Sequence, residues 1–393
     1  MITVAYLIML FFPRKQQQYY VMTWCLICLS YTHLYRMLYN FGSYQLTVST
    51  YTMLLVCKLN ALSWCYHDGA LHPSELTQDQ IVRKVNDLPS VLEMVSYTWF
   101  SQTSGLGVFF EFSDYKRFIE RTAEYKKVPS PISASICQLA IGLCCLAVYT
   151  VFGAYFPIAG CWSKEYAEEY SFAYKYLYFF LAMTGQRYFY YTPFSFSQGN
   201  IVASGFGYNG TKTELDGVEE HEKKHRWDKI VTVYIKLLET SPSCIEHLRY
   251  WNHQVHLWLK FYIQGRIVPK GTRATFGHTL VVFLTSAYWH GFYPVYYVMF
   301  FFAAILSEIT KDVFKVRKAI WFVPDSAKNI VAGFFTFSVM NYMGIIFTSL
   351  TFENMGVFLK ATYGFVPIGL IAALLFSRTT GIVKRVQKAE ARK

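Results

Sequence analysis

The chain has few charged residues. Asp, Glu, Lys and Arg together make up 16% of its 393 residues, whereas about a quarter of a soluble protein is charged. A soluble chain of this length would need that polar surface to cover two or three globular domains. The deficit therefore excludes a conventional soluble protein. It agrees with the long apolar stretches, separated by short charged loops, that fill most of the sequence.

Several familiar signatures are also missing. No histidine is followed five residues later by aspartate, and no G-x-S-x-G elbow presents a serine nucleophile. No internal repeat is visible, which disfavours an inverted-repeat transporter. Residues 2–12 are apolar but lack a small-residue cleavage site. We therefore expect them to be the end of a membrane span rather than a secretory signal.

The residues that are abundant point to a bilayer. Hydrophobic residues make up 53% of the chain and aromatic residues 19%, and Tyr and Trp are enriched where membrane meets water. The net charge of +12 is typical of basic cytosolic loops that face anionic headgroups. The basic residues are scattered between apolar stretches, so they do not indicate a nucleic-acid surface. The composition predicts a multi-pass membrane protein.

A helix needs roughly 20 apolar residues to cross a bilayer. The stretches predicted as spans are residues 19–39, 46–66, 133–161, 172–191, 328–348 and 357–376, which have about this length, and the shorter stretches 276–289 and 295–309. A stretch at 92–112 is interrupted by residues 104–107, which include two glycines, and predicts a broken or re-entrant helix. With surface helices within residues 230–265, we expect an all-α bundle of about nine or ten membrane segments, some of them broken or re-entrant.

Two polar segments complete the organisation. Residues 199–229 form the longest polar loop, and residues 378–393 form a basic tail. The positive-inside rule places this tail in the cytosol. We expect the whole chain, residues 1–393, to be a single membrane-embedded domain.

Two motif matches in the polar loop are rejected. Residues 221–225 fit the zinc motif H-E-x-x-H, but charged residues surround them, whereas zinc binding of this type needs a shielded helix. Residues 205–210 fit the dinucleotide motif G-x-G-x-x-G, but a polar, turn-rich loop follows where a helix is required. His253 and His256 lie three residues apart, a spacing more typical of a wet helix face than of a metal site. We predict no bound metal.

One histidine stands out because of its surroundings. His290 ends an apolar stretch, and an ionisable residue at membrane depth is costly enough to suggest a function. Histidine can also exchange a proton near neutral pH. The alternative to a functional role is a structural one, in which the histidine is buried in the core with its ring nitrogens hydrogen-bonded. Asn252, in a second partly apolar stretch, is a candidate partner, and Tyr288 and Trp289 are candidates to wall an apolar tunnel.

At these residues the sequence resembles the membrane-bound O-acyltransferase family, and within it the lysophospholipid acyltransferase branch. The resemblance extends in order along nearly the whole chain. Its motifs are Lys58-Leu59 through Tyr66-His67-Asp68-Gly69, Pro89-Ser90-x-Leu92-Glu93, Phe110-Glu111-Phe112-x-Asp114-Tyr115, Gly205-Phe206-Gly207, Trp251-Asn252 with Trp258-Leu259-Lys260, and Ser286-Ala287-x-Trp289-His290-Gly291-x-x-Pro294.

The resemblance implies a helical bundle that encloses a catalytic tunnel. It implies transfer of a fatty acyl group from acyl-CoA, a substrate rather than a cofactor, to the free hydroxyl of a lysophospholipid, and a place in the endoplasmic reticulum. The branch suggests lysophosphatidylethanolamine or lysophosphatidylserine as the acceptor. His290 and Asn252 are the implied catalytic residues, and the implied tunnel residues are Trp251, Trp258, Tyr288, Trp289 and Glu111.

Family members usually have one or two spans before the position of Met1, so we expect this chain to lack them. Two alternatives stay open at this point. One is an acyltransferase of the same family that acts on a protein or a sterol hydroxyl. The other is a non-catalytic, multi-pass lipid transporter. The sequence does not determine the oligomeric state.

Overall fold

A computed structural model describes residues 1–42, 48–101, 108–211, 225–320 and 322–390. Over these residues the chain is helical and has no β-strand, apart from one isolated bridge between Thr211 and His225. The prediction of an all-α fold is confirmed. The chain forms two compact units. The first comprises residues 1–144, 191–233 and 252–266, and the second comprises residues 145–190, 234–251 and 267–393.

The first unit is built around two long N-terminal helices and several shorter ones. Its helices are α1 (Ile2–Phe11), α2 (Gln17–Tyr39), α3 (Val48–Asp68), α4 (Gln78–Arg83), α5 (Val91–Thr98), α6 (Phe112–Ile119), the first half of α7 (Ile132–Tyr155), the end of α9 (Phe172–Ala203), and α12 (His253–Trp258) with its π-helical continuation Leu259–Gln264. α2 packs along α3, and α1 packs against both.

The second unit contains the remaining helices. These are the second half of α7, α8 (Lys164–Glu168), most of α9, α10 (Ile235–Thr240), α11 (Cys244–Tyr250), α13 (Phe276–His290), α14 (Pro294–Val316), α15 (Asp325–Ser349), α16 (Phe352–Ala361), α17 (Phe365–Thr380) and α18 (Ile382–Glu390). α14 is central, because α11, α13, α15, α16, α17 and α18 all contact it. The hydrophobic core of the second unit includes Phe179, Tyr342 and Phe358.

Two helical segments of the described chain are long and apolar enough to cross a membrane on their own. They are Ile132–Trp162 and Asp325–Ser349, and the bent pair α16 and α17 passes the same test as one broken span. The predicted span at 328–348 is therefore recovered as a single apolar helix, and that at 133–161 as α7 followed by the 3-10 turn Ile158–Trp162. The count of nine or ten membrane segments is not confirmed. The large side chains that α7 exposes, such as Ile136, Leu139 and Leu143, form the kind of surface that lipid covers.

The predicted span at 357–376 is wrong as a single helix. The structure divides it into α16 and α17, whose axes differ by 79°. Tyr363 and Gly364 both have left-handed backbone angles, with φ of +55° and +56°, and such residues cannot continue a right-handed helix. The Thr362 hydroxyl lies 2.7 Å from that of Tyr342, which attaches the bend to α15.

Both predicted polar segments begin inside helices. α9 continues through Pro193 to Ala203, so the helix includes the first residues of the predicted loop at 199–229. Residues 212–224, which hold most of the zinc-like motif, lie outside the described residues. The G-x-G-x-x-G stretch follows this helix rather than a strand, as expected for a rejected nucleotide motif. The predicted tail at 378–393 contains the end of α17 and all of α18.

The interrupted stretch at 92–112 is not a continuous helix. α5 ends at Thr98, α6 begins at Phe112, and the predicted break at 104–107 lies outside the described residues. α5 has eight residues, or about 12 Å of helix, so it cannot cross a bilayer alone. Lys58 is only 2% exposed. It donates hydrogen bonds of 3.1 and 3.2 Å to the carbonyls of Tyr97 and Thr98 at the C-terminal end of α5. This ammonium satisfies carbonyls that a helix end leaves unpaired.

Candidate active site

His290 lies in the second unit, at the last position of α13. Rings surround its imidazole. Phe300 stacks on it, with the ring centroids 5.4 Å apart. Phe347 and Trp289 make edge-to-face contacts with it, at centroid distances of 5.1 and 4.9 Å. Tyr296 lies at 6.0 Å. The structure thus places a titratable ring at the end of an apolar helix, inside an aromatic cage.

The residue after His290 fixes how the helix ends. Gly291 has φ of +142°, a backbone conformation that only glycine adopts without strain. Its N–H still donates to the carbonyl of Ala287 at 3.1 Å, so the last turn of α13 is complete. The chain then enters α14 at Pro294, which occupies the first helical position, where its missing N–H costs nothing. Gly291 therefore sets the orientation of His290 between α13 and α14.

Asn252 lies in the first unit, at the N-cap position directly before α12. Its backbone is left-handed, with φ of +42° and ψ of +54°, and its side chain makes no capping bond to the helix. Asn adopts this conformation more readily than other residues with a side chain. The flanking backbone is bonded: His253 N–H donates to the Thr232 carbonyl at 2.7 Å, and His256 N–H donates to the Asn252 carbonyl at 3.0 Å. The amide is thus held on a fixed backbone turn.

The other predicted tunnel residues are divided between the units. In the second unit, Trp251 packs edge-to-face on Tyr190 at 5.6 Å, and Tyr288 packs on Phe292 at 5.4 Å. Trp289 is 6% exposed. In the first unit, the Trp258 indole N–H donates to the Asn60 side-chain oxygen at 3.1 Å. Within each unit these aromatic side chains have protein neighbours, and their roles toward substrate stay predictions.

Glu111, also in the first unit, belongs to a partly buried polar cluster. One carboxylate oxygen lies 3.2 Å from the Arg83 Nε, and the other accepts a hydrogen bond from the Tyr262 hydroxyl. The Cys65 thiol lies 3.1 Å from the same hydroxyl. Because Arg83 belongs to α4 and Tyr262 to the π-helical turn, Glu111 links three separate segments. These contacts give Glu111 a structural role within the first unit.

His253 and His256 stack with their ring centroids 6.2 Å apart. No group of three or more His, Cys, Asp or Glu side chains suited to a metal occurs within the residues that the structure describes.

Comparison with known proteins then identifies the family. The model of the membrane-bound O-acyltransferase family matches residues 10–353, which include both Asn252 and His290. The chain belongs to this family. It is therefore an acyltransferase, and a membrane-bound one. Its apolar helices α7 and α15 agree with that location.

Curated members of the family resemble the chain over most of its length. Lysophospholipid acyltransferase 2 of Arabidopsis thaliana is 29% identical over 333 residues, covering 83% of this chain and 70% of the plant protein. Lysophospholipid acyltransferase of Saccharomyces cerevisiae is 27% identical over 285 residues, covering 67% and 45%. Membrane-bound glycerophospholipid O-acyltransferase 2 of Mus musculus is 26% identical over 415 residues, covering 99% and 77%.

The acyltransferase also contains a polar cluster that sequence reasoning missed. In the second unit, Arg187 of α9 donates to both carboxylate oxygens of Glu239, at 2.9 and 3.1 Å, and to the Asn341 side-chain oxygen. One turn further along α9, Tyr190 packs on Trp251. These contacts hold the segment 234–251 within the second unit. The available signal was an arginine inside the predicted span 172–191, since such a charge normally has a buried partner.

His247 packs beside this cluster. Its ring meets that of Phe337 edge-to-face at 5.0 Å, and the Arg187 guanidinium lies 5.5 Å from the same ring. The side chain is buried, and neither ring nitrogen has a hydrogen-bond partner among the described residues. Burial, and then the positive charge of Arg187, lowers the pKa of His247 to about 4. The imidazole is neutral in the folded protein at physiological pH.

This depressed pKa predicts a loss of stability in weak acid. The unfolded chain takes up a proton at His247 near pH 6.5, whereas the folded chain does so only near pH 4. Stability therefore falls as the pH drops through that window, by about 2 kcal/mol at about pH 5. We expect His247→Phe to reduce the fall in thermal unfolding midpoint between about pH 7.5 and about pH 5. Equal falls in the variant and the wild type would contradict the assignment.

A second prediction concerns Gly291. In Gly291→Ala the new side chain opposes a φ of +142°, a strain of about 1–3 kcal/mol, which the chain relieves by moving the end of α13 and with it His290. We expect kcat to fall at least about tenfold, since small displacements of catalytic groups are costly. Gly333→Ala is the control, because Gly333 lies inside α15 with open space around it. Activity lost equally in both variants would argue against a special role for Gly291.

Proposed function

We propose that the protein transfers a fatty acyl group from acyl-CoA to the free hydroxyl of a lysophospholipid. The acceptor we propose is lysophosphatidylethanolamine or lysophosphatidylserine, the reaction serves phospholipid remodelling, and the location is the endoplasmic reticulum membrane. The names of the plant and yeast relatives support a lysophospholipid acceptor. The observation that carries the proposal is the aromatic cage around His290 at the end of an apolar helix.

In this proposal His290 is the general base. Its ring nitrogen removes the proton of the lysolipid hydroxyl as the oxygen attacks the thioester carbon, forming the new ester bond. The carbon–sulfur bond then breaks, and the CoA thiolate leaves and takes up the proton from His290. Assistance by a positioned base of this kind is typically worth about 10²–10⁴ in rate. No acyl-enzyme is required, because the thioester is already an activated acyl donor.

Asn252 supplies the second contribution. As the hydroxyl attacks, negative charge develops on the thioester carbonyl oxygen, and an amide N–H directed at that oxygen stabilises it. The fixed left-handed turn at Asn252 supports this role, because a donor held in place beforehand need not reorganise during the reaction. Trp251 and Trp258 lie on either side of Asn252 in sequence, and Tyr288 and Trp289 precede His290; we propose that these rings line the acyl path.

The apolar surroundings of His290 also serve the chemistry. Water that reached the thioester beside an activated base would hydrolyse it and waste the donor. Phe300 and Phe347 cover the imidazole from two sides, so the hydroxyl of a lipid reaches it more readily than bulk water does. This environment favours lipid acceptors over water-soluble ones.

An acceptor panel tests the proposal. Microsomes that express the protein receive labelled acyl-CoA and, in separate reactions, lysolipids that differ only in headgroup: ethanolamine, serine, choline, inositol and none. We expect labelled diacyl phospholipid with ethanolamine or serine and much less with the others. A protein or sterol acceptor that is labelled in place of every lysolipid would overturn the substrate assignment. Transport of lipid without any acyl transfer would overturn the enzymatic one.

A further inference from the structure

The helix that follows the last apolar helix has a basic face that its own unit does not neutralise. α18 begins directly after Gly381, whose φ of +60° ends α17 and lets the chain change direction. α17 is the second half of the bent pair that passes the test for a membrane span. Because only one residue separates the two helices, α18 starts at the depth where α17 ends.

The side chains of α18 are sorted onto two faces. Successive residues of an α-helix are about 100° apart, so Lys384, Arg385 and Lys388 share one sector of the helix, whereas Val383 and Val386 share the opposite one. The three basic side chains are exposed, and the two valines are half-buried. α18 contacts α14 and α17. The helix is therefore amphipathic and rests on its own unit through its apolar side.

The cations around α18 are paired, but those of α18 are not. Arg378, at the end of α17, lies 3.5 Å from Glu308 and 3.4 Å from Asp312 of α14. Lys311 and Lys315 use the same two carboxylates, at 2.6 and 3.2 Å. Lys384, Arg385 and Lys388 make no ion pair with any side chain that the structure describes. The acidic groups nearest in the fold are thus already occupied.

We propose that α18 lies on the bilayer surface and that Lys384, Arg385 and Lys388 bind the anionic headgroups of phospholipids in the leaflet where α17 ends. A short amphipathic helix with a basic face is the form that such surface binding takes. Anionic lipids attract basic side chains near the membrane surface and over a distance of about one Debye length. The proposal concerns the lipid environment of the protein and does not depend on acyl transfer.

Hydrogen exchange on the full chain tests the proposal. The protein is reconstituted in vesicles of phosphatidylcholine alone, or with about a third of phosphatidylserine, and backbone exchange over residues 381–390 is measured. We expect exchange to slow at least about fivefold in the anionic vesicles and to recover at about 0.5 M NaCl, which shortens the Debye length. The triple variant Lys384→Gln, Arg385→Gln, Lys388→Gln should lose this dependence on lipid and keep its rate in neutral vesicles.

A matched variant distinguishes an effect of the basic face of α18 from an effect of the net charge of the protein. Arg121→Gln, Lys126→Gln, Lys127→Gln removes three exposed charges from the first unit and should retain the full lipid dependence at residues 381–390. The proposal would be overturned if exchange in the wild type were equally fast with and without phosphatidylserine. It would also be overturned if both triple variants lost the dependence on phosphatidylserine equally. Protection by CoA in neutral vesicles, with none from phosphatidylserine, would assign the surface to the phosphates of CoA instead and would also overturn it.

Discussion

Replacing His290 by Ala is expected to lower kcat for acyl transfer by about 10²–10⁴-fold, the typical contribution of a general base. The KM values for the lysolipid and for acyl-CoA should change little, because the imidazole acts on the proton during reaction rather than on bound substrate. The measurement is initial rate against substrate concentration for purified protein in vesicles. A variant that kept most of its kcat would remove His290 from the mechanism.

The control for this experiment is on the same helix. His278 is at the other end of α13, where its ring accepts from the Thr275 N–H in a capping box. His278→Gln keeps a side chain suited to that box and removes an imidazole. We expect near-normal kcat, so that a loss confined to His290→Ala reports on its chemistry and not on the number of histidines.

Substitutions at Asn252 should have the second largest effect. Removing an amide that stabilises a developing oxyanion costs about 10²–10³ in kcat. Asn252 also has φ of +42°, so its backbone and its side chain must be tested separately. Asn252→Gly permits the left-handed turn without an amide, whereas Asn252→Ala removes the amide and strains the turn by about 1–2 kcal/mol.

The two variants distinguish loss of the side-chain amide from strain in the backbone turn. We expect both to lose kcat to a similar extent, while only Asn252→Ala also lowers the thermal unfolding midpoint. If Asn252→Gly retained wild-type kcat, the residue would matter only for the shape of the chain, and the proposed stabilisation of the oxyanion would be wrong.

Hydropathy predicted the positions of several helices well. The stretch at 19–39 became Gln17–Tyr39, and the stretch at 328–348 became Asp325–Ser349, because a long apolar run forms a helix wherever it is buried. It failed at 357–376, where Tyr363 and Gly364 adopt left-handed angles inside an apolar run. Hydropathy measures the polarity of side chains and carries no information on backbone angles.

The candidate site was only partly predictable. The isolated position of His290 in an apolar stretch indicated a function, but Phe347 is 57 residues further along the chain, and no local pattern predicts that it meets the imidazole at 5.1 Å. Arg187 gave a comparable signal, yet its partners Glu239 and Asn341 are 52 and 154 residues away in sequence. Local patterns identify a costly residue, whereas its partners depend on how the whole chain packs.

The most direct test of the proposed reaction measures the released CoA thiol and the new phospholipid ester in the same sample. Purified protein is given acyl-CoA with a lysophospholipid, or with the matched lipid whose free hydroxyl is replaced by hydrogen. We expect one diacyl phospholipid for each CoA released with the hydroxyl lipid, neither product with the deoxy lipid, and neither at an appreciable rate in His290→Ala. CoA release without ester formation, or ester formation at the wild-type rate in His290→Ala, would contradict the proposed reaction.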